Sequence, residues 1–400
     1  MTNLYEASNQ WASRPADERF WNLSEMYAKT RQSADESVVE EIPMSDVRFR
    51  WNDAEVMAEI PDYTEAASLA MGKYGHTSAR FTHYSFGQMC RTVEAPSDYL
   101  RSLPPATAVE CLRHGHRRAV SKGLGDRQFL FQANGSMTVR AQTSDRYERI
   151  WNHEIVERLR DFQAHGWRVP PARPASIHDK RTRTATADDI IDFGQSSALN
   201  VRVGDTIGPA GLYASDHDMF AFMVDPEVVI DDGSSPHGLR RGFMVRQSEV
   251  GDCSLWTTEF LFNTVCGNHI IWGVSNVRDT RLRHVGNISD RWTAVVSEVA
   301  RLRDSSGAEQ EADIRRARAI KLGNTKEDVL DFLFGKRLLS RKVAEQSYDL
   351  AEQHADVHGD PRSAWGVAQG LTRLSQDTAH ADKRATLDTA AGRILQMVVL

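Results

Sequence analysis

The chain has 400 residues, 40% of them hydrophobic and 26% charged, which is enough for two or three domains by the usual prior of about 150 residues each. That composition excludes fibrous, collagenous and wholly disordered classes, and no apolar run approaches the ~18 residues of a membrane span. The net charge of −6 conceals an alternation: residues 1–75 and 186–275 are acidic, while residues 76–185 (18 basic, 10 acidic) and 276–343 (15 basic, 10 acidic) are basic.

The N-terminus, MTNLYEASNQWASRPADERF, lacks the basic-then-apolar order of a secretory signal, so a cytoplasmic location is the expectation. Cys90, Cys111, Cys253 and Cys266 form no CxxC pair, which points to reduced thiols and away from a zinc ribbon. Arginine outnumbers lysine 40 to 9; its planar fork suits phosphate and base edges, although a GC-rich genome produces the same bias.

Residues 1–75 carry Trp11, Phe20, Trp21 and Trp51 among acidic, Pro-punctuated stretches and read as an N-terminal arm or subdomain. An α+β core is expected over 76–288. Phe86, Met89, Cys90 and Val93 recur at helical spacing, and Pro104-Pro105 opens another helix with Val109, Leu112 and His116 on one face. That helix ends in Arg113, His114, His116, Arg117 and Arg118, with Lys122 beyond. Cations there suit either the helix dipole or a bound anion.

Residues 128–144 are two β-prone runs joined by Asn134-Gly135, a hairpin signal of the type I′ kind. Asn152 is placed to cap a helix carrying Ile155, Val156, Leu159 and Phe162 and ended by Gly166. Residues 170–210, rich in Pro, Thr and charge, read as a mobile loop. Strands return at Leu212–Val224 and Arg240–Val250, while Leu255–Trp272 fits strand or helix equally. From about 289 to 400 the patterns are helical, with Thr325 and Asp328 as a capping pair. The expected class is α+β: an antiparallel sheet with hairpins and flanking helices, plus a C-terminal helical region.

GxGxxG after a strand, GxxxxGK[ST], HExxH and GxSxG are all missing, which removes the motif-based nucleotide, metalloprotease and hydrolase readings. Two constellations remain. Asp216-His217-Asp218, with Glu249, Cys253, Cys266, His269 and His284 later, could serve a divalent ion such as Mg²⁺, Mn²⁺ or Zn²⁺; Asp216, Asp218 and His269 are the metal candidates, and Asp216, Asp218, Glu249 and His269 the catalytic ones. Strand alternation would turn Asp216 and Asp218 to one side and His217 to the other. The hairpin region interleaves Arg127, Arg140, Arg146 and Arg149 with Phe129, Phe131 and Tyr147, as a single-strand groove requires; Phe129 and Phe131 serve the core equally well, with the arginines exposed either way.

The segments WASRPADERFWNL (11–23), THYSFGQMC (82–90), DRYERIWNHEIV (145–156), GLYASDHDMFAFMVD (211–225), RRGFMVRQSEVG (240–251), NTVCGNHIIWG (263–273) and RSAWGVAQGLTRLSQ (362–376) resemble the phage/plasmid-like family catalogued as domain of unknown function 932. That resemblance implies a role in the DNA economy of mobile elements and supplies no catalytic residues. The element order is also similar to the β-β-β-α core of single-strand annealing recombinases, an analogy of fold alone.

The resulting expectation is a nucleic-acid-binding protein of mobile-element origin with single-stranded or double-stranded DNA as its partner, and single-stranded DNA binding or annealing in recombination or replication as its finer form. Arg113, Arg117, Arg118, Lys122, Arg127, Arg140, Arg146 and Arg149 are its expected phosphate contacts, homo-oligomers are expected, and neither a cofactor nor a membrane is called for. Two alternatives stand beside it: a metal-dependent enzyme acting on nucleic acid, which would use Mg²⁺, and a non-enzymatic self-assembling protein.

Overall fold

A computed structural model describes residues 19–52, 54–170, 181–194, 200–209, 211–233, 237–263, 269–270, 280–282, 288–304, 306–376, 378 and 381–399. The chain is α+β, built on two six-stranded sheets and a C-terminal set of helices. No helix among the described residues is long and apolar enough to cross a membrane.

The first sheet comprises β1 (Ser37–Pro43), β2 (Arg48–Trp51), β3 (Val56–Glu59), β4 (Ser78–Phe81), β5 (Asp126–Ala133) and β6 (Met137–Ser144), in the order β1-β5-β6-β4-β3-β2. All neighbours are antiparallel except β4 and β6. Strands from the expected N-terminal arm are therefore integral to the sheet: Val38 lies opposite Phe131 and Met57 opposite Arg80. The hairpin of residues 126–144 forms as expected, but its loop has three residues, because Ala133 pairs with Met137. Gly135 alone takes the left-handed conformation there (φ 66°), so the turn is not type I′.

Helices α2 (Glu65–Tyr74), α3 (His83–Thr92), α4 (Ser97–Arg101) and α5 (Pro105–Ser121) cover one face of this sheet. Phe86, Met89 and Cys90 of α3 and Val109, Leu112 and His116 of α5 are buried, on the faces that spacing predicts. Phe129 and Phe131 are core residues, stacked 5.9 Å apart.

The second sheet holds β9 (Leu212–Ala214), β10 (Met219–Ile230), β11 (Leu239–Gln247) and β12 (Leu255–Asn263) in that spatial order, with β13 (His269–Ile270) and β14 (Thr280–Leu282) both pairing β12. Leu255–Asn263 is thus strand. Both faces are covered, which explains the unbroken apolar run of β10. Met219, Ala221, Met223, Phe243 and Val245 pack against α1 (Leu23–Asp35), α6 (Asn152–Ala164) and α7 (Ile288–Asp304). Phe220, Phe222, Val224, Phe260 and Phe262 pack under Ala185, Ile191, Phe193 and Val201.

The latter four residues come from the stretch expected to be a mobile loop. Its described part holds the paired strands β7 (Arg183–Thr184) and β8 (Thr206–Ile207) and supplies apolar anchors to the core. Residues 171–180, 195–199 and 210 of that stretch lie outside the described residues.

Beyond α7 the chain folds as α8 (Ala308–Ala319), α9 (Lys326–Gly335), α10 (Arg341–Gln353), α11 (Ala355–His358), α12 (Ala364–Gln376) and α13 (Ala381–Val399), around a core centred on the fully buried Trp365. Thr325 and Asp328 cap α9 reciprocally: the Asp328 N–H donates to Thr325 Oγ1 (3.2 Å) and the Thr325 N–H to Asp328 Oδ2 (2.9 Å). Ile230, Leu239 and Leu261 of the second sheet join this core, so the helices close one end of that sheet.

Candidate functional site

Residues four apart share a helix face, so Arg113 and Arg117 of α5 project together, and β2 brings Arg48 alongside. The three guanidinium-bearing side chains line an open groove of about 520 Å³ together with Phe49, Glu59, His116 and Val120. Arg113 is fixed by Glu110 Oε1 (2.6 Å) and the Phe49 carbonyl (2.8 Å), and its guanidinium lies 5.5 Å from the ring centre of Trp51. Trp51 is 47% exposed, so much of a large aromatic side chain stands at the surface. His116 hydrogen-bonds the Met44 carbonyl oxygen (2.6 Å), and burial lowers its pKa.

The other expected phosphate contacts divide. Arg118 on α5 and Lys122 just past its end are exposed but reach Glu94, at 3.3 and 3.2 Å, and Arg127 is half-buried at the start of β5. Arg146 is exposed. Arg140 and Arg149, expected at the surface, face the junction between the two sheets instead.

A bulge in β6 explains Arg140. Leu130 pairs with Ala141 but Phe131 with Val139, leaving Arg140 as the extra residue and re-aiming its side chain inward. There it meets Glu249 Oε2 at 3.0 Å, with 5% and 2% of the two residues exposed. Arg149 donates to Gln128 Oε1 (3.0 Å) and to the Glu249 carbonyl, between the rings of Tyr147 and Trp151. Burial lowers its pKa to about 10. Glu249, a catalytic candidate by sequence, ties the sheets: its Oε1 accepts from the Asn152 N–H (2.7 Å), which does not act as the helix cap but occupies the first helical position. Tyr147 Oη donates to the Ser248 carbonyl (2.9 Å) and Gln88 Nε2 to the Val250 carbonyl (2.7 Å), completing the seam. A polar cavity of about 320 Å³ opens beside it, lined in part by Lys29, Ser33, Arg140, Asp216 and Glu249.

The Asp216-His217-Asp218 tripeptide is a turn between β9 and β10, not a strand. The Ser215 N–H donates to the Asp218 carbonyl (2.8 Å), and Ser215 Oγ to Asp218 Oδ1 (2.9 Å). Strand alternation therefore does not apply, and His217 sits between both carboxylates, its Nδ1 2.9 Å from Asp216 Oδ1 and its Nε2 3.6 Å from Asp218 Oδ1. Burial disfavours the charged ring, but the Asp216 hydrogen bond and the Asp218 and Asp252 carboxylates prevail and raise it to about 9. Arg246 bridges Asp218 (3.2 Å) and Asp252 (3.3 Å), and Tyr84 of α3 stacks on His217 at 5.8 Å.

His269 does not join this group. It pairs with Phe262 at one end of β12, whereas Arg246 pairs with Trp256 at the other, about 20 Å away at ~3.3 Å per residue. The partners that sequence reasoning missed, Arg246, Asp252 and Tyr84, are brought in by the β10–β11 register, the turn after β11 and α3. Only the tripeptide itself left a local signal. Cys266 and His284 lie outside the described residues. Cys253 beside Asp252 is half-buried, and burial pushes its thiol up to about 12.

Neither family models, curated proteins nor solved structures match this chain.

Proposed function

We propose that the protein binds single-stranded nucleic acid along the groove between α5 and β2. The observation that carries this is the convergence of Arg48, Arg113 and Arg117 on one open groove beside the exposed Trp51. Guanidinium forks engage phosphate oxygens in pairs, and an indole face accepts any base without reading its sequence. Arg118, on another face of α5, and Lys122, just past its end, pair with Glu94 and stand outside this groove. DNA of a mobile element as the natural partner rests on the resemblance of the quoted segments alone, and strand annealing by several copies of the chain, the finer activity we propose, on the analogy of element order alone.

Fluorescence anisotropy with a labelled oligonucleotide tests the reading. Three phosphate contacts on a single strand give a slope of about −2 in log K against log salt. The double variant Arg113→Glu with Arg117→Glu should abolish binding, while Arg146→Glu leaves it near the wild-type level. Binding untouched by the double variant, or insensitive to salt, overturns the proposal. Faster pairing of complementary strands in the presence of the protein would establish annealing.

A further inference from the structure

A second feature lies away from the groove. We propose that His217, Asp218 and Asp252 form a site for one divalent transition-metal ion of the Mn²⁺–Zn²⁺ class. One donor atom from each of the three lies within 4.8 Å of the other two.

The histidine is oriented as metal-bound imidazoles are. Asp216 holds Nδ1 at 2.9 Å, fixing the ring and directing Nε2 toward Asp218. The Nε2–Oδ1 separation of 3.6 Å matches the spacing of two ligands, since atoms held about 2.1 Å from one tetrahedral ion sit about 3.4 Å apart. Arg246 engages Oδ2 of Asp218, so Oδ1, which is nearest Nε2 and accepts only from the neutral Ser215 hydroxyl (2.9 Å), is the ligating one.

Charge points the same way. Asp216, Asp218 and Asp252 surround the imidazole, and Asp218 is 3% exposed, so water screens it poorly. Arg246 is the guanidinium that faces Asp218 and Asp252. One imidazole with two carboxylates favours Mn²⁺ or Zn²⁺ over Mg²⁺, which prefers an all-oxygen shell. The ion would join the β9–β10 turn to the β11–β12 turn, under the Tyr84 ring.

The test is Mn²⁺ binding to the chelator-treated full chain, read by loss of the free-ion signal in electron paramagnetic resonance, with Zn²⁺ as competitor. One saturable Mn²⁺ per chain, displaced by Zn²⁺ and not by equimolar Mg²⁺, is the expected result. Asp252→Asn alters an exposed residue and should fold, and its affinity should fall by about tenfold or more. His217→Gln should lose the site altogether. Absence of saturable binding in the wild type, or equal affinity in Asp252→Asn, overturns the proposal whatever the outcome at the groove.

Discussion

Arg140 and Glu249 stand 3.0 Å apart at the seam of two sheets, each more than nine-tenths buried, and 109 positions separate them in the chain. A pair so placed is costly to break and far cheaper to replace whole, because removing one partner strands the other charge out of water. Glu249→Leu should lower stability by about 3–5 kcal/mol in urea denaturation. Adding Arg140→Met should recover much of that loss, leaving the Asn152 N–H deprived of its acceptor. An additive double variant would show that the two side chains are not coupled.

Trp51 and Phe129 separate binding from folding. Trp51→Ala should leave the melting temperature close to wild type and weaken oligonucleotide binding by about 1–3 kcal/mol, the worth of one stacked base. Phe129→Ala opens a cavity beneath the same sheet and should cost about 3–5 kcal/mol of stability. Calorimetry and anisotropy on both variants check the contrast.

Asp360 supplies a pH signature. Hydrogen bonds from Arg362, outweighing the cost of burial, together with Lys321 at 3.1 Å hold its carboxyl far below the usual carboxylate range. A carboxyl with a depressed folded-state pKa stabilises above its unfolded value, near 4, and that contribution disappears as pH falls through the folded value. Asp360→Asn should therefore lower the melting temperature at pH 7, and the gap to wild type should close progressively below about pH 4.

Gly370 lies where α12 crosses α10 at backbone distance. A Cβ there would strike the Ser347 carbonyl oxygen and come within 2.9 Å of Ala351 Cβ. Gly370→Ala should destabilise by about 1–3 kcal/mol through overpacking, despite the better helix propensity of alanine. A rise in melting temperature would contradict so close a crossing.

Local patterns were legible in the sequence. The faces of α3, α5 and α6, the 126–144 hairpin though not its turn type, the Thr325–Asp328 cap and the α+β class all follow from spacing and capping chemistry, which act within a few residues. Burial of Arg140 and Arg149 was not legible, because it depends on a β-bulge and on a loop some hundred residues later docking against them. The 215–218 turn misled for a related reason: Ser215 bonds its own backbone neighbours, and that choice overrides strand alternation. Sheet membership of residues 37–59 was hidden as well, since short strands with mixed exposure carry little period-two signal.

Strand order in the first sheet also has a meaning in time. The ribosome delivers β1 to β4 first, yet β5 and β6 must enter between β1 and β4 before the sheet is continuous. Until residue 144 emerges, the early strands present unpaired edges and a half-built apolar face, which other chains can pair with. The 126–144 hairpin, closing locally over a three-residue loop, is then the wedge that seals both edges at once.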